Sequence, residues 1–387
     1  GKCKHCGANR AQYDRVETIE SYAYPFIHKP IKEIFHKEMQ FDVIIGNPPY
    51  QLNKATENST SSNGAFASAI YPLFIEQANR LNPQYLIMIT PSRWMTRTGQ
   101  GISDEWVDRM IGSNHFIEIH DFIDSTECFA GVDIMGGVSY FLYASNYTGK
   151  CKFVSHYKGD TMEVIDYLNS YNSGVVIRDS RARNIIDKVV KKEGKYYNES
   201  SFSALVGPSH FYDKSGQLNT SWRGYVVKKD TEHNVKYYLN KRVETSGYAW
   251  IKEADIPKNK HTLSRHKVFI PKANGSFGED APILGVPFYG EPGSVCSQTY
   301  LYIGYYRTGD FDLSENECKN IISYIKTKFF RYMVSIKKNT QDAPTAVYQF
   351  VPLQDFSHPW TDEMLYKKYD LDKDEIAFIE SMIRPME

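Results

Sequence analysis

Short apolar runs alternate with amphipathic segments between residues 41 and 157. Residues 41–46 and 85–90 are β-branched and aliphatic runs of the kind that forms buried parallel strands. Between them, apolar side chains recur at helical spacing over residues 70–81, and Ser103 is placed to cap a second, short helix. Further strands are predicted at residues 116–122, 137–144 and 151–157. This alternation of strands and helices predicts an α/β sheet.

The pattern changes in the second half of the chain. Residues 180–193 form an amphipathic segment that predicts a linking helix. Over residues 202–311, short β-branched and aromatic runs are interrupted by Gly, Pro, Asn and Asp, which is typical of a separate β-rich domain. A capping box at the start of residues 314–336 predicts one long helix there, and a last helix is predicted near residues 373–383.

Composition restricts the class of protein. With 387 residues, of which 41% are hydrophobic and 24% charged, the sequence predicts a globular protein of two or three domains. There is no apolar run of about eighteen residues, so we expect no membrane span. The N-terminal residues GKCKHC lack the apolar core of a signal peptide, so we expect none. The six cysteines are scattered along the chain and do not fit a secreted disulfide framework. A cytoplasmic protein is therefore predicted.

Charge is unevenly distributed, although the formal net charge is zero. Residues 223–272 contain twelve Lys or Arg and five Asp or Glu, an excess of seven positive charges. Phosphate-binding surfaces need local positive potential rather than a basic protein as a whole. The segment is therefore a candidate nucleic-acid surface, and a lysine-rich face exposed to solvent is the alternative.

The strongest candidate for chemistry is Asn47-Pro48-Pro49-Tyr50, which directly follows the predicted strand ending at Gly46. Loops at the carboxyl ends of strands in α/β sheets are where ligands bind. The side-chain oxygen of Asn47 and the carbonyl oxygen of Pro48 could accept both N–H groups of adenine's exocyclic amine, drawing it toward tetrahedral geometry and freeing its lone pair for methylation. The ring of Tyr50 could stack on a base flipped out of a duplex. A Pro-Pro turn after a core strand is the structural alternative.

In this context the sequence resembles the gamma-class DNA adenine-N6 methyltransferases of restriction–modification systems, typified by the TaqI methyltransferase. The resemblance covers residues 41–145 and includes YPLFIEQA at 71–78 and ITPSRW at 89–94. It implies transfer of a methyl group from S-adenosylmethionine to the N6 amine of a flipped adenine.

The resemblance also implies the roles of individual residues. The catalytic residues would be Asn47, Pro48, Pro49 and Tyr50, with Asn47 and Pro48 bonded to the amine and Tyr50 stacked on the base. Phe129, in the segment CFAGV, would contact the other face of the base. A phenylalanine buried in the core is the alternative reading of Phe129.

The fold class implied by the resemblance is α/β, with a partial Rossmann-like methyltransferase sheet followed by a β-rich target-recognition domain and C-terminal helices. The segments are residues 1–165 for the catalytic region, 166–200 for a linker helix, 201–355 for DNA target recognition and 356–387 for a helical tail. The expected partners are double-stranded DNA and a fused or associated restriction nuclease. Candidate DNA-binding residues are Arg223, Lys241, Arg242, Arg265 and Lys267.

The cofactor region departs from the family pattern. These enzymes bind S-adenosylmethionine at a Gly-rich turn upstream of the Asn-Pro-Pro-Tyr loop, and the 46 residues before Asn47 contain no such turn. We therefore expect a fragment that lacks part of the cofactor site and is inactive by itself. Glu20 and Tyr22 are the remaining cofactor-binding candidates.

Cys3 and Cys6 have the spacing of half a zinc knuckle. A structural zinc site needs four ligands, and no second Cys-x-x-Cys follows, so two free thiols are the alternative to zinc. Two other functions also stay open. One is a non-catalytic DNA-binding fragment that recognises the target, and the other is a cytosine-N4 methyltransferase, because that reaction uses the same geometry.

Overall fold

The computed structural model describes residues 23–53, 67–239, 247–274, 282–306, 312–338 and 341–386. The chain divides into two compact units, Gly1–Ser180 and Arg181–Glu387. The division into four segments with their functions stays a prediction. Six of the predicted site residues lie outside the described residues: Cys3, Cys6, Glu20, Tyr22, Lys241 and Arg242.

The first unit is built on a mixed six-stranded sheet, which confirms the predicted α/β class in its coarse form. Its described strands are β1 (Val43–Gly46), β2 (Gln51–Asn53), β3 (Ala67–Ala69), β4 (Tyr85–Pro91), β5 (Phe116–Phe122), β6 (Val138–Tyr143), β7 (Cys151–Tyr157) and β8 (Asp160–Asp166). The sheet order is β1-β4-β6-β5-β7-β8, and β2 pairs with β3 separately. β1 is parallel to β4 and β5 is parallel to β7, whereas β6 runs antiparallel to both of its neighbours.

Four described α-helices belong to the first unit. They are α1 (Tyr24–His28), α2 (Ile31–Phe35), α3 (Tyr71–Arg80) and α4 (Asp104–Gly112). As predicted, Ser103 caps α4, its side chain accepting a hydrogen bond from the Trp106 amide. The core joins apolar residues of α3 and α4 to β4, β5, β6 and β7, and its centre includes the fully buried Trp94 stacked on Phe116.

Two strands differ from expectation. β1 is parallel to β4, as its apolar run predicts. Val43 is nevertheless 46% and Ile45 74% exposed, because β1 is the first strand in the sheet order and the alternate residue Ile44 is the one that packs against the core. The expectation of burial was therefore wrong. β8 escaped prediction because its side chains alternate between exposed and half-buried positions. It forms a hairpin with β7 through Lys158 and Gly159, which both have positive φ angles.

The second unit contains the predicted β-rich region, organised as two three-stranded sheets. Helix α5 (Ser180–Glu193) confirms the helix predicted over residues 180–193, whose linking role stays a prediction, and is followed by α6 (Tyr196–Glu199). The strands are β9 (Val235–Tyr238), β10 (Tyr248–Ile251), β11 (Lys267–Pro271), β12 (Phe288–Gly290), β13 (Ser294–Cys296) and β14 (Tyr300–Ile303). Their orders are β10-β9-β13 and β12-β11-β14. An aromatic cluster that includes Phe211, Tyr237, Phe269 and Tyr302 joins the two sheets.

The C-terminal helices are α7 (Glu315–Lys326), α8 (Lys328–Ser335), α9 (Asp362–Lys368) and α10 (Lys373–Met382). The capping box of Ser314 and Glu317 is confirmed, but the single helix expected over residues 314–336 is interrupted. Thr327 adopts an extended conformation, and its hydroxyl accepts a hydrogen bond from the Phe330 amide. The Asp362 carboxylate accepts two further amides at the start of α8. Apolar periodicity continues through such a break, so the pattern alone does not reveal it.

Candidate active site

Residues 47–50 leave the sheet at the carboxyl end of β1. The last strand residue is Gly46, where an added Cβ would lie 3.0 Å from the sulfur of Met88 on β4. The loop is fixed at its far end because the carbonyl of Tyr50 accepts a hydrogen bond of 3.1 Å from the Ile70 amide, just before α3. The strand and helix thus position both ends of the Asn-Pro-Pro-Tyr loop.

This loop forms one wall of a pocket of about 510 Å³. The residues that line it are Ala23, Asn47, Pro48, Pro49, Tyr50, Phe129, Val132 and Ile134. The structure therefore brings Phe129 to the same pocket as Asn47 and Tyr50, although four described strands and two α-helices lie between them in the sequence. The Asn47 amide and the Tyr50 phenol are the polar side chains of the lining, and neither is an acid or base near neutral pH. Such a pocket suits a flat, neutral ring.

Tyr50 is held as a neutral phenol. Burial, and then the proximity of Cys128, raise the pKa of Tyr50 to about 12. Its hydroxyl is buried and has no hydrogen-bond partner among the described residues. The ring is thus available for stacking and contributes no charge to the pocket.

Phe129 lies on a loop that folds around a buried serine. The hydroxyl of Ser125 donates to the Val132 carbonyl at 3.0 Å and accepts from the Ile134 amide at 2.7 Å, while the Ser125 carbonyl accepts from the Phe129 amide at 2.8 Å. Ser125 is 2% exposed, so these bonds are shielded from water. The side chain of Ser125 thereby orders two pocket-lining residues, Val132 and Ile134, and its main-chain carbonyl orders a third, Phe129.

A buried ion pair supports the end of the same loop. Arg178 donates two hydrogen bonds, of 2.6 and 2.9 Å, to the fully buried carboxylate of Asp121, which also accepts from the Ser92 hydroxyl at 2.5 Å. Gly137 closes the loop above this pair with φ at 81°, and an added Cβ would lie 2.3 Å from the Phe122 carbonyl oxygen. The pair and the glycine together fix where the Phe129 loop rejoins the sheet.

Sequence reasoning missed Ser125, Asp121 and Arg178. The available signal was an acid within the apolar run of β5, since a buried carboxylate needs a partner. The identity of that partner could not be read from the pattern, because Arg178 comes from a distant segment.

Three candidate DNA-binding residues lie within the described part of the second unit, and each has a different environment. Arg223 is exposed and donates to the carbonyls of Thr220 and Trp222. Arg265 is held between the Tyr305 carbonyl, at 2.7 Å, and the Asp312 carboxylate, at 3.0 Å.

Lys267 is a correction to the sequence interpretation. It is fully buried, and its ammonium donates to the carbonyls of Thr262, Leu263 and Ser294 at 3.0, 3.2 and 2.9 Å. Burial lowers the pKa of Lys267 to about 7. A side chain committed to three main-chain oxygens inside the core does not reach a phosphate, so Lys267 is not a DNA contact.

The described residues do not form a complete cofactor or metal site. Within them, Gly46 at the end of β1 leads into the Asn-Pro-Pro-Tyr loop and not into a helix, so the Gly-rich turn expected for S-adenosylmethionine is not among the described residues. The described parts of the chain contain no group of three or more His, Cys, Asp or Glu side chains suited to a metal ion. They also contain no helix that is long and apolar enough to cross a membrane.

Part of the chain that includes Asn47, Tyr50 and Phe129 is similar to a known protein family. Residues 2–129 match the model of the Eco57I restriction-modification methylase family. An uncharacterized adenine-specific methylase of Mycoplasma pneumoniae is 39% identical over 171 residues, which cover 42% of this chain and 39% of that protein. The chain thus spans well under half the length of this relative.

Solved structures of restriction–modification enzymes are also similar. The type IIG restriction endonuclease BpuSI is 12% identical, with a TM-score of 0.33, over 85% of this chain and 48% of its own. The type IIL restriction-modification enzyme MmeI, in complex with DNA, is 9% identical, with a TM-score of 0.29, over 89% of this chain and 55% of its own. The family match and the Mycoplasma relative confirm the resemblance that the sequence indicates, to the adenine-specific methylases of restriction–modification systems.

Proposed function

We propose that this chain forms the catalytic loop and target-recognition part of a site-specific DNA methyltransferase that modifies the N6 amine of adenine. The observation that carries the proposal is the pocket that unites Asn47, Pro48, Tyr50 and Phe129. The family match over residues 2–129 supports methylase chemistry at the same loop.

The pocket suits amine methylation because its described lining residues offer acceptors and include no strong base. The exocyclic amine of adenine is a poor nucleophile, since its lone pair is delocalised into the ring. In our proposal the side-chain oxygen of Asn47 and the carbonyl oxygen of Pro48 accept its two N–H groups. The nitrogen then moves toward tetrahedral geometry, and its lone pair becomes available. The product proton leaves after methyl transfer, so no general base is required.

The two aromatic rings of the pocket explain how a base would be held there. A base inside a duplex is inaccessible, and an enzyme that modifies it must extrude it at a cost of a few kcal/mol. Stacking on an aromatic ring returns about 1–3 kcal/mol per base. We assign this stacking to Tyr50 and Phe129, whose neutral rings suit a neutral purine.

S-adenosylmethionine would supply the electrophilic methyl group. The described residues do not fit this cofactor, for want of the glycine-rich turn, and we therefore derive no step through it. The contribution that we assign to this chain is to extrude, hold and orient the adenine.

Sequence recognition is assigned to the second unit. Phosphate contacts position a DNA-binding protein, whereas contacts to base edges give specificity. Of the predicted residues that the structure describes there, Arg223 is exposed. We retain it as a candidate phosphate contact and leave Arg265 as a second, more enclosed candidate.

The test is a methylation assay on the full-length protein, followed by identification of the modified nucleoside. N6-methyladenine that disappears in Asn47→Ala supports the proposal. N4-methylcytosine would support the cytosine alternative, which the same acceptor geometry allows.

A second candidate function concerns this chain by itself. Because the described residues do not fit the cofactor, a non-catalytic DNA-binding fragment is the alternative. Calorimetry with S-adenosylmethionine separates the two, since micromolar binding by this chain would contradict the fragment hypothesis. DNA binding without cofactor binding would support it.

A further inference from the structure

The loop that carries Phe129 holds large apolar side chains in solvent. Met135 is 76% exposed and Val132 is 49% exposed. Single exposed apolar residues are common on protein surfaces. These two are unusual in position, because Val132 and Ile134, the neighbour of Met135, line the pocket.

Met135 lies between two anchored residues. The Ile134 amide is bonded to the buried Ser125 hydroxyl. On the other side, Gly136 has φ at 87° and lies against Arg93, where an added Cβ would be 2.6 Å from Cγ. The Gly137 amide donates back to the Ile134 carbonyl at 2.8 Å. The backbone on both sides is thus fixed, so Met135 does not retreat into the core through collapse of the loop.

Extrusion of a base leaves a gap in the duplex, and Met135 has a side chain of a kind that can occupy such a gap. Removing adenine from a duplex leaves a gap in the stack beside the unpaired base. DNA-bending proteins insert apolar side chains, methionine among them, between base steps, so such a side chain is accommodated within a base stack. Methionine suits an irregular gap because its side chain is flexible and its sulfur is polarisable.

The charge of residues 132–135 favours a contact of this loop with the base stack over a contact with the phosphates. Asp133 lies between Val132 and Met135 and is exposed. A carboxylate there repels the phosphate backbone, so a phosphate-tracking role would place like charges together.

We propose that Met135 is a wedge that enters the gap left in the duplex when the target adenine moves into the pocket. This inference rests on the proposed function, since it requires that a base is extruded. It adds a positioning residue outside the pocket itself, because Met135 would act on the duplex and not on the reacting amine.

The experiment compares Met135→Ala with wild type in the full-length protein, on duplexes that carry 2-aminopurine at the target position. The variant should weaken the fluorescence rise on extrusion and lower the methylation rate on the order of tenfold. Met135→Leu should stay near wild type because it keeps an apolar side chain of similar size. Ile165→Ala removes an equally large exposed side chain from β8, 60% exposed, and should have no effect.

A pyrene nucleotide opposite the target adenine makes the test specific. Pyrene fills the gap by itself, so it should restore extrusion and methylation in Met135→Ala. If Met135→Ala loses extrusion and methylation and pyrene does not restore them, the wedge proposal is wrong and Met135 has a structural role. Wild-type rates for Met135→Ala on unmodified duplex would also overturn it. Failure of the proposed function is distinguishable, because wild type would then form no N6-methyladenine on any duplex.

Discussion

The polar and charged side chains that the structure describes have different roles in the two units. In the first unit, hydrogen bonds of Ser125, Asp121 and Arg178 support a loop beside the pocket. The residues that line the pocket remain accessible to a ligand. In the second unit, Lys267 and Arg265 bind main-chain oxygens of their own fold. A motif with a definite place after a strand therefore located a candidate site, whereas an excess of positive charge did not.

We expect the largest effect on stability from a substitution that removes the buried ion pair beside the pocket loop. Arg178→Met leaves the buried Asp121 carboxylate without its cation, and breaking such a pair costs about 3–5 kcal/mol. We expect that loss in the free energy of unfolding of the first unit, measured by urea denaturation. Arg80→Met is the matched control, because Arg80 is 71% exposed and lies 4.0 Å from Glu76. It should cost under about 0.5 kcal/mol. Equal costs for both variants would contradict the comparison.

The second prediction concerns the pocket itself. Asn47→Ala removes one acceptor from the proposed amine site, and comparable transition-state hydrogen bonds contribute roughly 2.7–4 kcal/mol. Methyl transfer by the full-length protein should therefore fall about a hundredfold or more, while DNA affinity changes only a few-fold. Asn47→Asp keeps an acceptor oxygen and should lose less. Near-wild-type turnover in Asn47→Ala would remove this loop from the mechanism.

The sequence predicted most of the sheet because periodicity reports which face of an element is buried. Five predicted strands and the helix of residues 180–193 match to within a few residues. The break at Thr327 was missed because a helix cap interrupts the backbone without interrupting the apolar stripe. The burial of Lys267 was missed for a related reason. Charge predicts exposure unless acceptors surround the side chain, and the acceptors here are main-chain oxygens that carry no sequence signal.

The third prediction sharpens the comparison through pH. Burial places the pKa of Lys267 at about 7 in the folded state, well below the value of about 10.4 in an unfolded chain. The folded state therefore binds fewer protons between these values, and the contribution of Lys267 to stability grows as pH rises from about 7 to about 10. Lys267→Met lacks this contribution and loses the hydrogen bonds.

Denaturation of both proteins at several pH values measures the difference. At pH 9, Lys267→Met should be less stable than wild type by about 1–3 kcal/mol. The gap should narrow at pH 6, where the buried lysine must carry its charge. A gap that widens toward acid would show that the three carbonyls stabilise the charged ammonium more than burial opposes it.

The fourth prediction tests the two rings. Tyr50→Ala and Phe129→Ala should each weaken base extrusion by about 1–3 kcal/mol. A duplex with 2-aminopurine at the target position reports this as a smaller fluorescence rise. Tyr167→Ala removes a ring that is 43% exposed elsewhere on the first unit and serves as the control. If the fluorescence rise is unchanged in both Tyr50→Ala and Phe129→Ala, the stacking role is wrong and Phe129 is a structural residue of the core.

The smallest expected effect decides whether any of the predicted basic residues meets DNA. Arg223 is exposed, and its described hydrogen bonds reach only nearby carbonyls, so its charge is available to a phosphate. If it is a phosphate contact, Arg223→Ala should weaken binding to all sequences alike and lower the slope of log affinity against log salt by about one. Lys214→Ala, an exposed lysine outside the basic segment, should leave the slope unchanged. An unchanged slope for Arg223→Ala as well would place this residue on a solvated face and leave the charge excess of residues 223–272 without a part in DNA binding. A loss confined to the cognate sequence would instead identify a contact to a base edge, which costs roughly 1–3 kcal/mol at that site alone.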